Sequence, residues 1–186
     1  MSGPNAGADP LLVLLGGPAG TGKSSLALAW CEKRDRAAHV DLDEIRHMIA
    51  GGFADPQQRG IEQTAQFELA ARQCVSLARN FGQDGFDVVI EATFLPDEYR
   101  ASWKQLLMGL DPILVVLTPD LDTALARSSA RDKNVLETHT RTQHAACLEW
   151  PEESRLDTTG QSIDESRQAL DRRISALRLS RPQSGE

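Results

Sequence analysis

The chain has 186 residues, 40% of them hydrophobic and 25% charged, with a formal net charge of −7. That is enough for one globular domain with a full core, and the acidic balance argues against a long polynucleotide partner, which calls for a basic face. No apolar stretch approaches the ~20 residues that cross a bilayer, and no membrane partner is expected.

Residues 1–9 are rich in Gly, Pro and Ala and read as a flexible tail, as do residues 180–186. A single domain fills 10–179. The first strand is expected at Leu11–Leu15, too short for a signal-peptide core and without a basic residue before it. A helix from about Lys23 to Arg34 follows, then a strand Ala37–Val40 ending at Asp41, and a short helix near Asp43. A long helix is expected from about Gln57 to Asn80, with Ile61, Ala65, Phe67, Leu69, Ala70, Val75 and Leu77 on its buried face. The third strand runs Asp87–Ile90 and ends at Glu91. Pro96 announces a helix over Asp97–Met108. The strand Ile113–Leu117 leads to a helix Asp120–Arg131, another spans Val135–Leu148, a weak fifth strand lies near Arg155–Asp157, and a last helix covers Ile163–Leu177. Short strands that are apolar throughout suit a mainly parallel sheet covered on both faces. Their alternation with helices predicts an α/β fold in three layers, with ligands beyond the carboxyl ends of the strands.

Residues 17 to 24 read Gly-Pro-Ala-Gly-Thr-Gly-Lys-Ser and match G-x-x-x-x-G-K-[ST] between a strand and a helix. The glycines let the backbone turn tightly and aim N–H groups at a phosphate, where the helix adds its positive dipole end. Gly17, Pro18, Ala19, Gly20, Thr21, Gly22, Lys23, Ser24 and the following Ser25 are therefore expected to hold a nucleoside triphosphate. ATP is expected, with GTP as the alternative. Lys23 reaches the β- and γ-phosphates, and the Ser24 hydroxyl holds Mg²⁺.

Three further groups point to phosphoryl transfer. Asp43 and Arg46 are three apart on a helix turn after the second strand, so they share a face. Asp43 is placed to accept a proton from an acceptor hydroxyl, and Arg46 to hold the acceptor or the moving phosphoryl group. Glu91 follows apolar residues at a strand end, as the carboxylate behind a Mg²⁺ shell does, through water; Asp41 competes for that role. Thr93, just beyond, is expected to touch acceptor or phosphate. Arg127 and Arg131, four apart, are expected to close over the triphosphate as part of a lid around 120–135. Cys31, Cys74 and Cys147 are widely spaced, with no metal or disulfide pattern, and read as buried thiols of a cytoplasmic protein. His39, His47, His139 and His144 show no metal spacing and are expected at the surface or behind site residues. Trp30, Trp103 and Trp150 are expected as core or rim anchors.

The P-loop, the D-x-x-R at Asp43–Arg46 and the R-x-x-x-R at Arg127–Arg131 together resemble the small phosphotransferases of the polynucleotide-kinase, zeta-toxin and chloramphenicol-phosphotransferase group. The resemblance spans most of residues 11–178. It implies a P-loop kinase-like fold, a general base at Asp43 and a lid carrying Arg127 and Arg131. Leu156-Asp157-Thr158-Thr159-Gly160 is similar to the last strand and loop of the chloramphenicol enzyme, which implies that Thr158–Gln161 border the adenine. The polynucleotide kinase pattern has Asp where this chain has Glu91. The expected function is a Mg²⁺-dependent kinase acting on a small-molecule hydroxyl of antibiotic, nucleoside or sugar type, with Gly51–Phe81 as the acceptor segment and Gly51-Gly52 as its hinge. A 5′-hydroxyl polynucleotide kinase and a nucleotide-dependent switch or binding module are the alternatives.

Overall fold

Strand β1 (Leu12–Gly16) is apolar up to its final glycine because both of its faces are covered. Val13 and Leu15 enter one half-core with Leu26, Trp30, Val89, Leu117 and Leu170, while Leu14 enters the other with Val40, Cys74, Ile90 and Trp103. In the computed structural model, residues 9–56, 58, 60–129 and 136–180 are described. The tails, Gln57 at the expected start of the long helix, and Arg131 with the end of the expected lid lie outside the described residues.

The sheet has five strands in the order β2-β3-β1-β4-β5, all parallel. The others are β2 (Ala37–Asp41), β3 (Asp87–Glu91), β4 (Pro112–Leu117) and β5 (Arg155–Leu156). Helices α1 (Lys23–Cys31) and α8 (Ile163–Leu179) cover one face. Helix α3 (Ile61–Gln83) and the broken segment Pro96–Leu106 cover the other. That segment comprises α4 (Pro96–Glu98), a π-helical stretch Tyr99–Trp103 and α5 (Lys104–Leu106). Between the layers and at their rim lie α2 (Leu42–His47), α6 (Leu121–Ser129) and α7 (Glu137–Cys147). β1 is central, so the loop that follows it opens in the crevice beside β3 where the strand order reverses.

Trp30 is fully buried, with the Arg34 guanidinium 3.5 Å from its ring centroid. Arg34 also pairs with Asp87 and Asp171, and α1 ends at Cys31, short of the expected end at Arg34. The buried stripe of α3 that packs with the sheet is Ala70, Ala71, Cys74, Val75 and Ala78. Ala70 and Val75 were expected there and Phe67 and Leu77 are half-buried, but Ile61 is 93% exposed and Leu69 and Ala65 face outward. Small side chains take the contact positions because the helix axis lies close to β2 and β3. Cys74 and Cys147 are buried, whereas Cys31 is half-buried, and burial pushes its thiol up to about 11.

Candidate active site

The P-loop bridges β1 and α1. Gly17, Gly20 and Gly22 all have positive φ, at 137°, 81° and 87°. A Cβ on Gly20 would stand 2.2 Å from the Ala124 carbonyl oxygen of α6, and one on Gly17 would stand 2.8 Å from that of Leu117. Only glycine fits the first of these, where two backbones touch. Thr21 Oγ1 donates to the Pro18 carbonyl at 2.9 Å and Lys23 Nζ donates to the same oxygen at 3.1 Å. The Gly17 N–H donates to the Thr93 carbonyl at 3.1 Å, so Thr93 meets the loop through its backbone.

Register builds the acidic part of the site. Asp41 and Glu91 are paired residues of β2 and β3, and His39 lies two positions back on the same strand face as Asp41. Ser24 Oγ, at the start of α1, donates to Glu91 Oε1 at 2.7 Å, and His39 Nε2 lies 2.8 Å from Glu91 Oε2. One ligand atom each from His39, Asp41 and Glu91 lies within 4.8 Å of the others. Glu91 is 5% exposed. Burial works to raise its pKa, but hydrogen bonds from His39 and Ser24 and the charge of Lys23 prevail and hold it below the usual value. Asp41 is raised, by burial first and by the Glu91 charge second. A hydroxyl and two carboxylates are hard oxygen donors of the kind Mg²⁺ takes, and they fit that ion beside the P-loop. His39 stands behind Glu91, one of the two places expected for the histidines, but it also joins a metal-type cluster that was not expected; its i,i+2 spacing from Asp41 on a strand was a usable signal.

Asp41 Oδ1 also accepts the Asp43 N–H at 2.8 Å and so caps α2. Asp43 is exposed in the first turn of that helix. Arg46, one turn on, is 2% exposed. Its guanidinium lies 4.2 Å from the Phe67 ring centroid and 4.6 Å from that of Phe53, and donates to the Ala54 carbonyl. Burial lowers its pKa, against the opposing charge of Asp43. Gln66 of α3 joins the same loop, accepting from Ala54 N–H at 2.9 Å and donating to Gly52 O at 2.7 Å. The expected hinge at Gly51-Gly52 is thus tied to α3 by Gln66, with Gly52 at a φ of 74°.

On the far side of the P-loop is a cleft of about 350 Å³, lined by Gly20–Gly22, Ser25, Leu26, Leu117, Arg127, Thr158, Gln161, Ile163 and Ser166. Leu117, Leu26 and Ile163 make flat apolar walls. The Thr158 hydroxyl is buried with no hydrogen-bond partner among the described residues, and Gln161 accepts from Ser166 Oγ at 3.2 Å. Asp120 ties this side together: its N–H donates to Thr159 Oγ1 at 2.7 Å, and its carboxylate accepts from Thr123. Arg127 thus stands in the cleft with Thr158.

A family model described as AAA domain matches residues 12–152. The chain belongs to the AAA domain family. Comparison with curated proteins gives no match. Solved structures resemble this AAA domain chain along almost its whole length. A tunicamycin resistance protein from Deinococcus radiodurans is 15% identical with a TM-score of 0.67, covering 90% of this chain and 95% of that one. A gluconokinase from Sinorhizobium meliloti is 18% identical with a TM-score of 0.63, covering 92% and 95%. An APS kinase from Mycobacterium tuberculosis, in complex with AMPPNP and APS, is 23% identical with a TM-score of 0.61, covering 91% and 99%. The shared architecture is the P-loop kinase fold, as the sequence resemblance implies. No described helix is long and apolar enough to cross a membrane.

Proposed function

We propose that the protein is an ATP- and Mg²⁺-dependent kinase that moves the γ-phosphate onto a hydroxyl of a small molecule. One juncture carries the reading. Ser24 donates to Glu91, Glu91 is register-paired with Asp41, and Asp41 caps the turn that presents exposed Asp43. A nucleotide-binding loop is thereby linked, through β3 and β2, to an exposed carboxylate in the first turn of α2, which a purely nucleotide-binding module does not need. The names of the similar gluconokinase and APS kinase lend support to a small acceptor, as does the net charge of −7.

In this reading the P-loop amides and Lys23 hold the β- and γ-phosphates, and the cleft at Thr158 and Arg127 receives the base. Ser24 and Glu91, with Asp41 beside them, hold Mg²⁺. The bound ion supplies charge neutralisation on the phosphate oxygens. Asp43 orients the acceptor hydroxyl and accepts its proton. The acceptor oxygen bonds to the γ-phosphorus as the bond from that phosphorus to the β–γ bridging oxygen breaks, leaving ADP. Arg46 acts by anchoring the Gly52–Ala54 loop over the acceptor side.

The test is ATP and GTP consumption with panels of hydroxylated antibiotics, nucleosides, sugars and 5′-hydroxyl oligonucleotides. A small-molecule acceptor should stimulate turnover, and Asp43→Ala should lower that turnover by about 10²–10⁴-fold. Stimulation by oligonucleotides alone, or full stimulated turnover in Asp43→Ala, defeats the proposal.

A further inference from the structure

The helix α7 reaches back across the chain to the P-loop. Gln143 Oε1 accepts the Ala19 N–H at 3.3 Å, and Gln143 Nε2 lies 2.8 Å from His139 Nε2, one helical turn earlier. The helix is held in place beside these contacts: His144 Nε2 lies 2.8 Å from the Pro119 carbonyl, and Cys147 is fully buried.

The donors and acceptors here allow one arrangement. A backbone N–H can only donate, so the carboxamide oxygen must face Ala19. The NH₂ group then faces His139 and can only donate, so His139 Nε2 must be bare, with the ring proton on Nδ1. His139 thus fixes the rotamer of Gln143, and Gln143 fixes the Ala19 amide. That amide has a second importance. Ala19 N and Pro18 O are opposite ends of one planar peptide unit, and Pro18 O is the atom that receives Lys23 Nζ at 3.1 Å. The unit lies between Gly17 and Gly20, both at positive φ. Its carbonyl end is held from within the loop by Thr21 Oγ1 at 2.9 Å, and Gln143 adds a hold on its N–H end from outside the loop.

We propose that Gln143, oriented by His139, is a positioning residue that sets the Pro18–Ala19 peptide and through it the Lys23 ammonium. It acts on the part of the loop that meets the terminal phosphate, so it separates triphosphate from diphosphate. The inference rests on the P-loop binding a nucleotide, and it does not depend on which acceptor is used or on whether one is used at all.

The experiment is direct binding of ATP and ADP, without acceptor, to the full chain and to Gln143→Ala, His139→Ala and the double variant, with melting temperatures taken alongside. Gln143→Met, which keeps the side-chain volume without its hydrogen bonds, stands in if Gln143→Ala does not fold. Loss of Gln143 should weaken ATP binding by roughly 3- to 10-fold, the range one net hydrogen bond spans, and ADP binding by clearly less. His139→Ala should lower ATP affinity by a smaller factor, and the double variant should lose no more than Gln143→Ala alone, because the two act in series. Equal losses for ATP and ADP, unchanged ATP affinity, or additive losses in the double variant would overturn the inference. Failure of the wild type to bind either nucleotide would overturn both this and the nucleotide reading. The expected pattern without transfer to any acceptor would sink the kinase proposal and leave this one standing.

Discussion

On the nucleotide side of the cleft, the chain meets a ligand with backbone and with side chains that are already held. Gly20 lies against the Ala124 carbonyl, Thr21 and Lys23 share the Pro18 oxygen, and Asp120 links two loops through Thr159 and Thr123. On the side proposed for the acceptor, the groups are held from beneath and left open above. Arg46 and Gln66 tie the Gly52–Ala54 loop from its buried side, while Asp43 is exposed and Met48 and Ile61 are 75% and 93% exposed. A triphosphate has the same shape in every enzyme that uses it, so a rigid backbone cradle suits it. An acceptor varies, and the side proposed for it carries outward side chains that can change without disturbing the core.

That contrast can be broken at its strongest point first. Gly20→Ala places a methyl where Ala124 O stands and forces alanine into a positive φ. It should lower stability by about 3 kcal/mol or more and abolish nucleotide binding, as read by thermal unfolding and ATP titration. A variant that melts and binds like the wild type would show that the cradle is not rigid. A smaller effect is expected at the seam between the two sides. Burial and the Glu91 charge raise the Asp41 pKa, so its ionisation in the folded state costs stability. The stability tied to its protonation is full below the unfolded value of 3.8 and is lost as pH rises through the folded value. Asp41→Asn keeps the helix cap and should raise neutral-pH stability by under about 1 kcal/mol after solvent screening. The gain should vanish on acidification below pH 3.8; a gain that grows in acid would reverse the assignment. Smallest of all, Ile61→Ser on the open side should leave stability within about 0.5 kcal/mol of wild type. A large destabilisation there would mean that the acceptor side is part of the core.

The P-loop could be read from the sequence because its chemistry needs glycine, lysine and serine at fixed spacing. The strands were legible because sheets covered on both faces leave few polar positions, and all five strands end within one residue of the expected place. Side-chain partnerships across the fold were not legible. His39 meets Glu91 across 52 residues, and only the β2–β3 register brings them together. Gln143 meets Ala19 across 124. The buried face of α3 misled for another reason. Hydrophobicity marked Ile61 and Leu69 as well as Ala70, but packing against the sheet selected Ala71 and Ala78 beside Ala70, whose small size matters more than their apolarity.

Strand β2 stands at the end of the sheet order and pairs with β3 alone, whereas β1 pairs on both sides. An edge strand of five residues opens at a lower free energy than a central one. His39 and Asp41 ride on that edge, while Glu91 and Ser24 belong to the interior. Opening of β2 would take two of the cluster's three members with it and would leave the P-loop strand β1 paired on both sides. A cation held by this cluster would therefore also staple the edge of the fold.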